Sequence, residues 1–417
     1  MRTLVFEQWH GGHYFNYLEC LVPRLAALSG EVVVAVTKFA AQSELFARQL
    51  GHLRRLPNVR FDEAVPIPHD RSALAYRLRL GRNLVDAIVR NQPDYVFLTS
   101  ADEQLLALPL YALGGAGRRI RRARIEAVIH YKCYTGTATA GERMLSAIQR
   151  ELLKTGVFAR LNFVNFLQFE DAAARGLPLA RLARAAGDPV PQRPRMARAL
   201  ARRTLGLDPQ GRYIGMLGAL DHRKAVPEAL AAFRAAKLAR TDRFVLAGRL
   251  APEHAKRIRD DYQDLVRSGT LVVIDRFLTD EELVQACAAL DVHCSVYTGF
   301  AGLSSVTLKS IAAGVPVVVS DQPGWSRATV RRFGIGQATA PRNIEAFSRA
   351  LREALEASAG YAETEAIARL LRFHSIANFT EGLVERFAAL AGKSPGAPVL
   401  PWSWVLEALP PERRGLR

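Results

Sequence analysis

The stretch richest in chemistry is Ser295-Val-Tyr-Thr-Gly-Phe-Ala-Gly-Leu-Ser-Ser-Val-Thr-Leu-Lys-Ser-Ile-Ala-Ala-Gly-Val-Pro-Val-Val-Val-Ser320. It reads as an apolar run, a glycine-bearing loop, a helix opening near Ser304 or Ser305, Gly314 as the helix C-cap and a buried strand over Val315–Val319. The amides of Gly302, Leu303, Ser304 and Ser305 then lie at a helix N-terminus, where unpaired N–H groups and the helix dipole favour an anion. A diphosphate is the expected guest. The same pattern suits an ordinary βαβ turn whose small residues let helix and sheet pack closely, and the stretch alone leaves both readings open.

Two further places carry suitable residues. His130 and Lys132 close the strand candidate Arg124–His130, where an open parallel sheet binds its ligands, so His130 is either functional or a capped loop residue. Trp9-His10-Gly11-Gly12-His13 follows the strand Thr3–Phe6 and precedes apolar residues at helical spacing, including Leu18, Leu21, Leu25 and Leu28. Gly11 and Gly12 either admit a ligand close to the backbone or make a plain tight turn. A full G-x-G-x-x-G is absent.

The elements that position these groups alternate. Strands are expected at Glu31–Val36, Asp94–Leu98, Arg124–His130 and Leu161–Gln168, with helices over 72–91, from about Glu103, and over 141–155. Gly187-Asp-Pro-Val-Pro-Gln-Arg-Pro-Arg195 interrupts the pattern with prolines and reads as a domain boundary. Beyond it come a basic helix over 196–205, the strand Arg212–Leu217, the loop Gly218–Lys224, a helix over 226–237 and the strand Phe244–Ala247 ending in Gly248. A helix over 252–267, the strand Leu271–Ile274 and the strand Asp291–Val296 follow, with Thr279-Asp-Glu-Glu282 as a capping box. Residues Gly360–Leu390 read as helical, and Trp402 and Trp404 sit in a short amphipathic tail. The domains expected are 1–188, 189–375 and a tail, 376–417, packing back on the first.

At 417 residues, 49% of them hydrophobic and 23% charged, the chain has the composition of a globular protein with room for two cores. The net charge of +17 favours an acidic partner and does not choose among nucleic acid, anionic lipid and phosphorylated substrate. Arg118–Arg124 holds five arginines in seven residues, a pattern that attracts anionic lipid or simply solvates a helix–strand connection. Cys20, Cys133, Cys287 and Cys294 form no close C-x-x-C pair, which suits free thiols in a reducing cytosol. No signal peptide is read at the start, and no apolar run reaches the ~18 residues of a membrane span. A cytoplasmic protein is expected, at most peripheral to the inner membrane face.

Two successive α/β domains, a proline-rich hinge and this order of elements resemble a GT-B glycosyltransferase of the retaining, sugar-nucleotide type (group 1, family 4-like). The likeness is best over Gly187–Ser320 and only architectural before it. It implies two Rossmann-like, doubly wound domains facing across a cleft, the first on the acceptor side and the second holding the donor. Arg223 and Lys224 resemble the basic residues that hold the donor diphosphate, with Gly218 opening their loop. Gly248 resembles the glycine at the following strand end. His130 falls where the family keeps a histidine facing the donor sugar. The resemblance implies a nucleotide-sugar donor, no metal and no other cofactor, and a glycan or lipid-linked acceptor. The family carries two glutamates eight residues apart where this chain has Ala301, or Thr298 if about three residues are inserted, and Lys309. Lys309 cannot accept from ribose hydroxyls, and it is expected to reach the phosphate or solvent instead.

Three functions compete. One is a transferase in which Arg223, Lys224, Lys309 and the Gly302–Ser305 amides stabilise the leaving diphosphate. Another is a catalytically inactive GT-B protein that binds a nucleotide sugar or glycan. The third, a nucleic-acid binder, lacks aromatic interleaving, zinc spacing and a recognition helix, and no nucleic-acid partner is expected.

Overall fold

The computed structural model describes residues 1–11, 13–67, 72–130, 139–174, 176, 179–394 and 396–417. Lys132 and Cys133 lie outside them. The chain divides into two compact units, Met1–Pro189 with Phe373–Trp402, and Val190–Arg372 with Ser403–Arg417.

The first unit is built on a seven-stranded sheet, β1 Arg2–Phe6, β2 Glu31–Thr37, β3 Val59–Val65, β4 Tyr95–Leu98, β5 Arg124–Ile129, β6 Phe158–Phe163 and β7 Ala183–Ala185, in the order β3-β2-β1-β4-β5-β6-β7. Every pairing is parallel. A parallel sheet is covered on both faces, and its strands read as continuous apolar runs. Here Leu4, Val33 and Val96 face one helix layer, while Val5, Val32 and Val34 face the other. The order reverses between β1 and β4, so the carboxyl ends of these two strands flank the topological switch point.

The second unit repeats the plan with six parallel strands, β8 Arg212–Leu217, β9 Asp242–Ala247, β10 Leu271–Ile274, β11 Val292–Ser295, β12 Val317–Ser320 and β13 Gly336–Thr339, ordered β10-β9-β8-β11-β12-β13. Two such sheets with flanking helices make the GT-B architecture of paired Rossmann-like domains.

Two differences from the sequence reading have local causes. The expected strand Leu161–Gln168 stops at Phe163, because the Asn165 side chain accepts from the Leu167 N–H at 3.0 Å and starts the helix Phe166–Ala174. The helical stretch Gly360–Leu390 is two helices, Glu365–Phe373 and Ile376–Leu390, the second capped by Ser375. The break at His374 meets the segment Gly187–Asp188. The Asp188 N–H donates to His374 Nδ1 at 2.8 Å, and a Cβ on Gly187 would stand 2.3 Å from the Phe373 carbonyl oxygen.

The tail, expected as one piece on the first domain, is divided. Helix Ile376–Leu390 and Trp402 belong to the first unit, where Trp402 stacks on Phe166 and donates to Glu170 at 3.0 Å. Ser403–Arg417 belongs to the second, with the Trp404 carbonyl accepting from Arg369 at 2.9 Å. Among the described residues no helix is long and apolar enough to cross a membrane.

Candidate functional site

In the second unit the strand ends converge on one corner. Gly218, with φ of +85°, turns the chain out of β8 in the left-handed region that glycine tolerates. Gly248, at φ +134°, closes against it, since a Cβ there would lie 1.9 Å from the Gly218 carbonyl oxygen. Gly248 is explained by this backbone approach between β8 and β9, and Gly218 by its positive φ. A Cβ on Gly218 would lie 3.3 Å from Val306 and 3.7 Å from Lys224 Nζ, so the start of helix Ser305–Ala312 and the Lys224 ammonium meet at this turn.

Lys224 is the most informative residue of the corner. It is 6% exposed, its ammonium donates to the Leu217 carbonyl, and Nζ lies 5.6 Å from the centre of the Tyr297 ring. Among the described residues no carboxylate pairs with it. A buried cation is costly unless it is paired, and one carbonyl with one ring face is modest compensation. The surroundings therefore favour an anion beside Lys224. Its field also acts inward. His293, buried in β11 with Nδ1 2.8 Å from Ser310 Oγ, is held down at about 3 by burial first and by Lys224 second.

Arg223 is tied differently. Its guanidinium grips Asp221 at 2.7 Å and lies 5.6 Å from the Phe300 ring centre, about half exposed. Burial, the largest influence on Asp221, pushes its carboxyl up, and hydrogen bonds from Arg223 outweigh it, so the net direction is down. The Arg223 carbonyl also accepts from the Thr298 N–H at 2.7 Å.

The helix after the loop opens as expected. Ser304 is its N-cap and accepts from the Thr307 N–H at 3.4 Å, and its hydroxyl meets Tyr297 Oη at 3.1 Å. The Leu303, Ser304 and Ser305 amides precede or begin the first turn, where N–H groups have no intrahelical acceptor. The loop before them is stitched to the segment after β12. Ser320 Oγ accepts from the Tyr297 N–H at 2.6 Å and donates to its carbonyl at 2.7 Å. The Gln322 amide accepts from Gly299 and donates to Phe300, and the Trp325 N–H donates to Ala301 at 3.1 Å. A shallow pocket, open to solvent, lies between these segments, lined by Tyr297, Phe300, Ala301, Ser320, Gln322 and Arg327 among others.

Lys309 departs from expectation. It is 4% exposed and its ammonium is 2.9 Å from Asp280 Oδ1 at the start of helix Asp280–Ala289. Five residues into the helix, its side chain leaves on the flank facing that neighbour rather than toward the N-terminus. Gly218, Arg223, Lys224, Gly248 and the helix start are brought together; the Lys309 ammonium is committed to Asp280.

In the first unit His130 follows β5 and is 5% exposed. Its ring stacks on Tyr17 at 5.4 Å, Nε2 is 3.2 Å from Tyr17 Oη, and Nδ1 is 3.4 Å from Asp102. Tyr17 donates in turn to Asp188 at 2.6 Å. Gly11, at φ +82°, needs the left-handed region, whereas Gly12 lies outside the described residues. The sequence reading missed Glu7, which follows β1 at the switch point. Its buried carboxylate accepts from Thr99 Oγ1 and from the Trp9 N–H, both at 2.7 Å. Burial pushes Glu7 up to about 7, against those hydrogen bonds and the nearby His130. The available signal was an acidic residue directly after an apolar strand.

Residues 211–357 match the profile of the family described as Glycosyl transferases group 1. No protein of curated function matches the chain. The solved structure of Anabaena HepE in complex with UDP is 15% identical, with a TM-score of 0.65 over 93% of this chain and 100% of its own. HepE is also known with UDP-glucose. Sucrose-phosphate synthase from Thermosynechococcus elongatus is 15% identical, with a TM-score of 0.66 over 94% of this chain and 99% of its own. The lipopolysaccharide outer core galactosyltransferase WaaB is 12% identical, with a TM-score of 0.58 over 94% of this chain and 100% of its own. At these identities the likeness establishes the fold.

Proposed function

We propose that the chain transfers a sugar from a nucleoside-diphosphate donor to an acceptor hydroxyl with retention, in the synthesis of a glycan, polysaccharide or glycolipid. The observation that carries this reading is Lys224, a buried ammonium with no described carboxylate partner, beside a capped helix start at the carboxyl ends of β8 and β11. The group 1 profile over residues 211–357 and the UDP and UDP-glucose bound by HepE support a nucleotide-sugar donor.

In the reaction the bond from the sugar C1 to the donor phosphate oxygen breaks, and the electron pair leaves with the diphosphate. Lys224, Arg223 and the first-turn amides stabilise that charge, and no metal is required of them. The acceptor oxygen bonds to C1 on the face the diphosphate leaves, and the departing phosphate takes the hydroxyl proton. Asp102 and Tyr17 hold His130 to present its imidazole to a sugar hydroxyl. The acceptor is a glycan or lipid-linked sugar, and the protein works in the cytoplasm at an anionic membrane surface.

A second reading, a GT-B protein that binds a nucleotide sugar or glycan without turnover, is favoured by Ala301 (or Thr298) and Lys309 standing where the resembled family has its two glutamates. One experiment separates the two. UDP and UDP-glucose are screened by thermal shift, where ligand at 100 times its dissociation constant adds about 2.7 kcal/mol, and acceptor-free hydrolysis of UDP-glucose is followed. Stabilisation with hydrolysis supports transfer, and stabilisation alone supports the binding protein. Neither with any of the common nucleoside diphosphates would overturn both.

A further inference from the structure

Helices Gln104–Leu113, Gly117–Arg122 and Ala140–Leu153 pack on one face of the seven-stranded sheet through Leu108, Ile120 and Leu153. Arg121 ties the second helix to the end of the third by donating to the Thr155 carbonyl at 3.2 Å. The third helix buries Leu153 and also carries large apolar residues outward. Gln149 is 2% exposed, whereas Met144 is 65% and Ile148 45% exposed, one turn apart on the outward stripe. On the neighbouring helix Leu110 and Leu113 are 41% and 64% exposed. Arg118, Arg119, Arg122 and Arg124 are exposed and make no ion pair among the described residues. Glu151, a nearby acidic residue, is paired with Lys154 at 2.5 Å.

We infer that this three-helix face docks on an anionic lipid bilayer, with Met144, Ile148, Leu110 and Leu113 entering the interface and the four arginines meeting the headgroups. Large apolar side chains beside uncompensated cations are the composition of an interfacial surface. A nucleic acid would satisfy the arginines and leave the apolar stripe without a use. A second copy of the chain would bring like charges together. The inference rests on the membrane part of the reading above and is independent of the donor assignment.

The test is flotation of the full chain with phosphatidylcholine vesicles and with vesicles containing one third phosphatidylglycerol. Binding is expected to the second only, and to weaken with salt. Replacing Arg118, Arg119 and Arg122 by Gln should weaken it on the order of a hundredfold, at about fivefold per arginine. Met144→Ser with Ile148→Ser should weaken it by more than about tenfold at unchanged melting temperature; if that variant unfolds, Met144→Gln alone replaces it. Equal binding to both vesicle types, or wild-type binding by either variant, would overturn the inference. So would a concentration-dependent dimer abolished by Met144→Ser, or binding to duplex DNA that the serine changes leave intact. A UDP thermal shift on the same samples keeps the donor reading separate, since its loss leaves the vesicle result standing.

Discussion

The Lys309 ammonium lies 2.9 Å from the Asp280 carboxylate, joining the helix Ser305–Ala312 to the first turn of Asp280–Ala289. The pair suits both helices, since the anion sits at a positive N-terminal end and the cation late in its own helix. The lysine is buried while the aspartate is 43% exposed. Solvent therefore weakens the attraction without removing the penalty for leaving the lysine unpaired.

Lys309→Glu should lower stability by about 3 kcal/mol and Asp280→Asn by about 1 kcal/mol, read from denaturant midpoints. Lys309→Met, which removes charge but keeps the stem, should leave UDP affinity unchanged. A folded Lys309→Met protein that no longer binds UDP would return this lysine to the nucleotide.

Lys224 should behave in the opposite way. Lys224→Met removes a buried ammonium that lacks a described carboxylate partner, so the melting temperature of the unliganded protein should hold or rise. The stabilisation by UDP should disappear, and turnover should fall on the order of a hundredfold, the scale for one preorganised charge stabiliser. Lower stability together with intact UDP binding would make Lys224 a structural residue.

Glu7 sets a pH dependence in the first unit. Its carboxyl titrates at about 7 when folded, against 4.5 as the unperturbed value, because burial disfavours the charge. A raised folded value means that the stability from Glu7 is complete below about pH 4.5 and declines as pH rises toward 7. The span corresponds to about 3 kcal/mol. Glu7→Gln should flatten that part of the profile, gaining on the wild type between pH 4.5 and 7 in urea unfolding. Parallel profiles for the two proteins would mean that Glu7 is ionised throughout.

Much of this molecule could be read from its residues because parallel strands advertise themselves. Val32–Val36 and Val315–Val319 are buried runs bounded by turn residues, and the helix expected to open near Ser304 or Ser305 and the capping box at Thr279 both form. The reading failed where a single side chain redirects the backbone, as Asn165 and Ser375 do, because an apolar residue after a cap looks like a strand or an uninterrupted helix. It failed differently at Lys309, whose position along the helix was placed but whose direction is set by a neighbouring helix, a long-range fact that spacing does not carry. Glu7 was missed for the same kind of reason. Its importance comes from burial beside the parallel strand that brings Thr99, far away in sequence, to its carboxylate.

The last prediction concerns Gln322, whose one amide satisfies both Gly299 N–H and Phe300 C=O in the loop before the helix Ser305–Ala312. Ser320 and Trp325 hold Tyr297 and Ala301 on either side, so the amide closes the middle of a three-point clasp. Gln322→Leu keeps the bulk and leaves two backbone groups to water, which costs little globally because this edge borders an open cavity. The melting temperature should barely move. Hydrogen exchange at Gly299–Gly302 should quicken on the order of tenfold, the equivalent of one lost hydrogen bond of about 1.4 kcal/mol. UDP affinity should fall by a similar factor, since a looser loop must be ordered when the diphosphate binds. Faster exchange with undiminished affinity would show that the clasp shapes the cavity beside Ala301 and plays no part in holding the nucleotide.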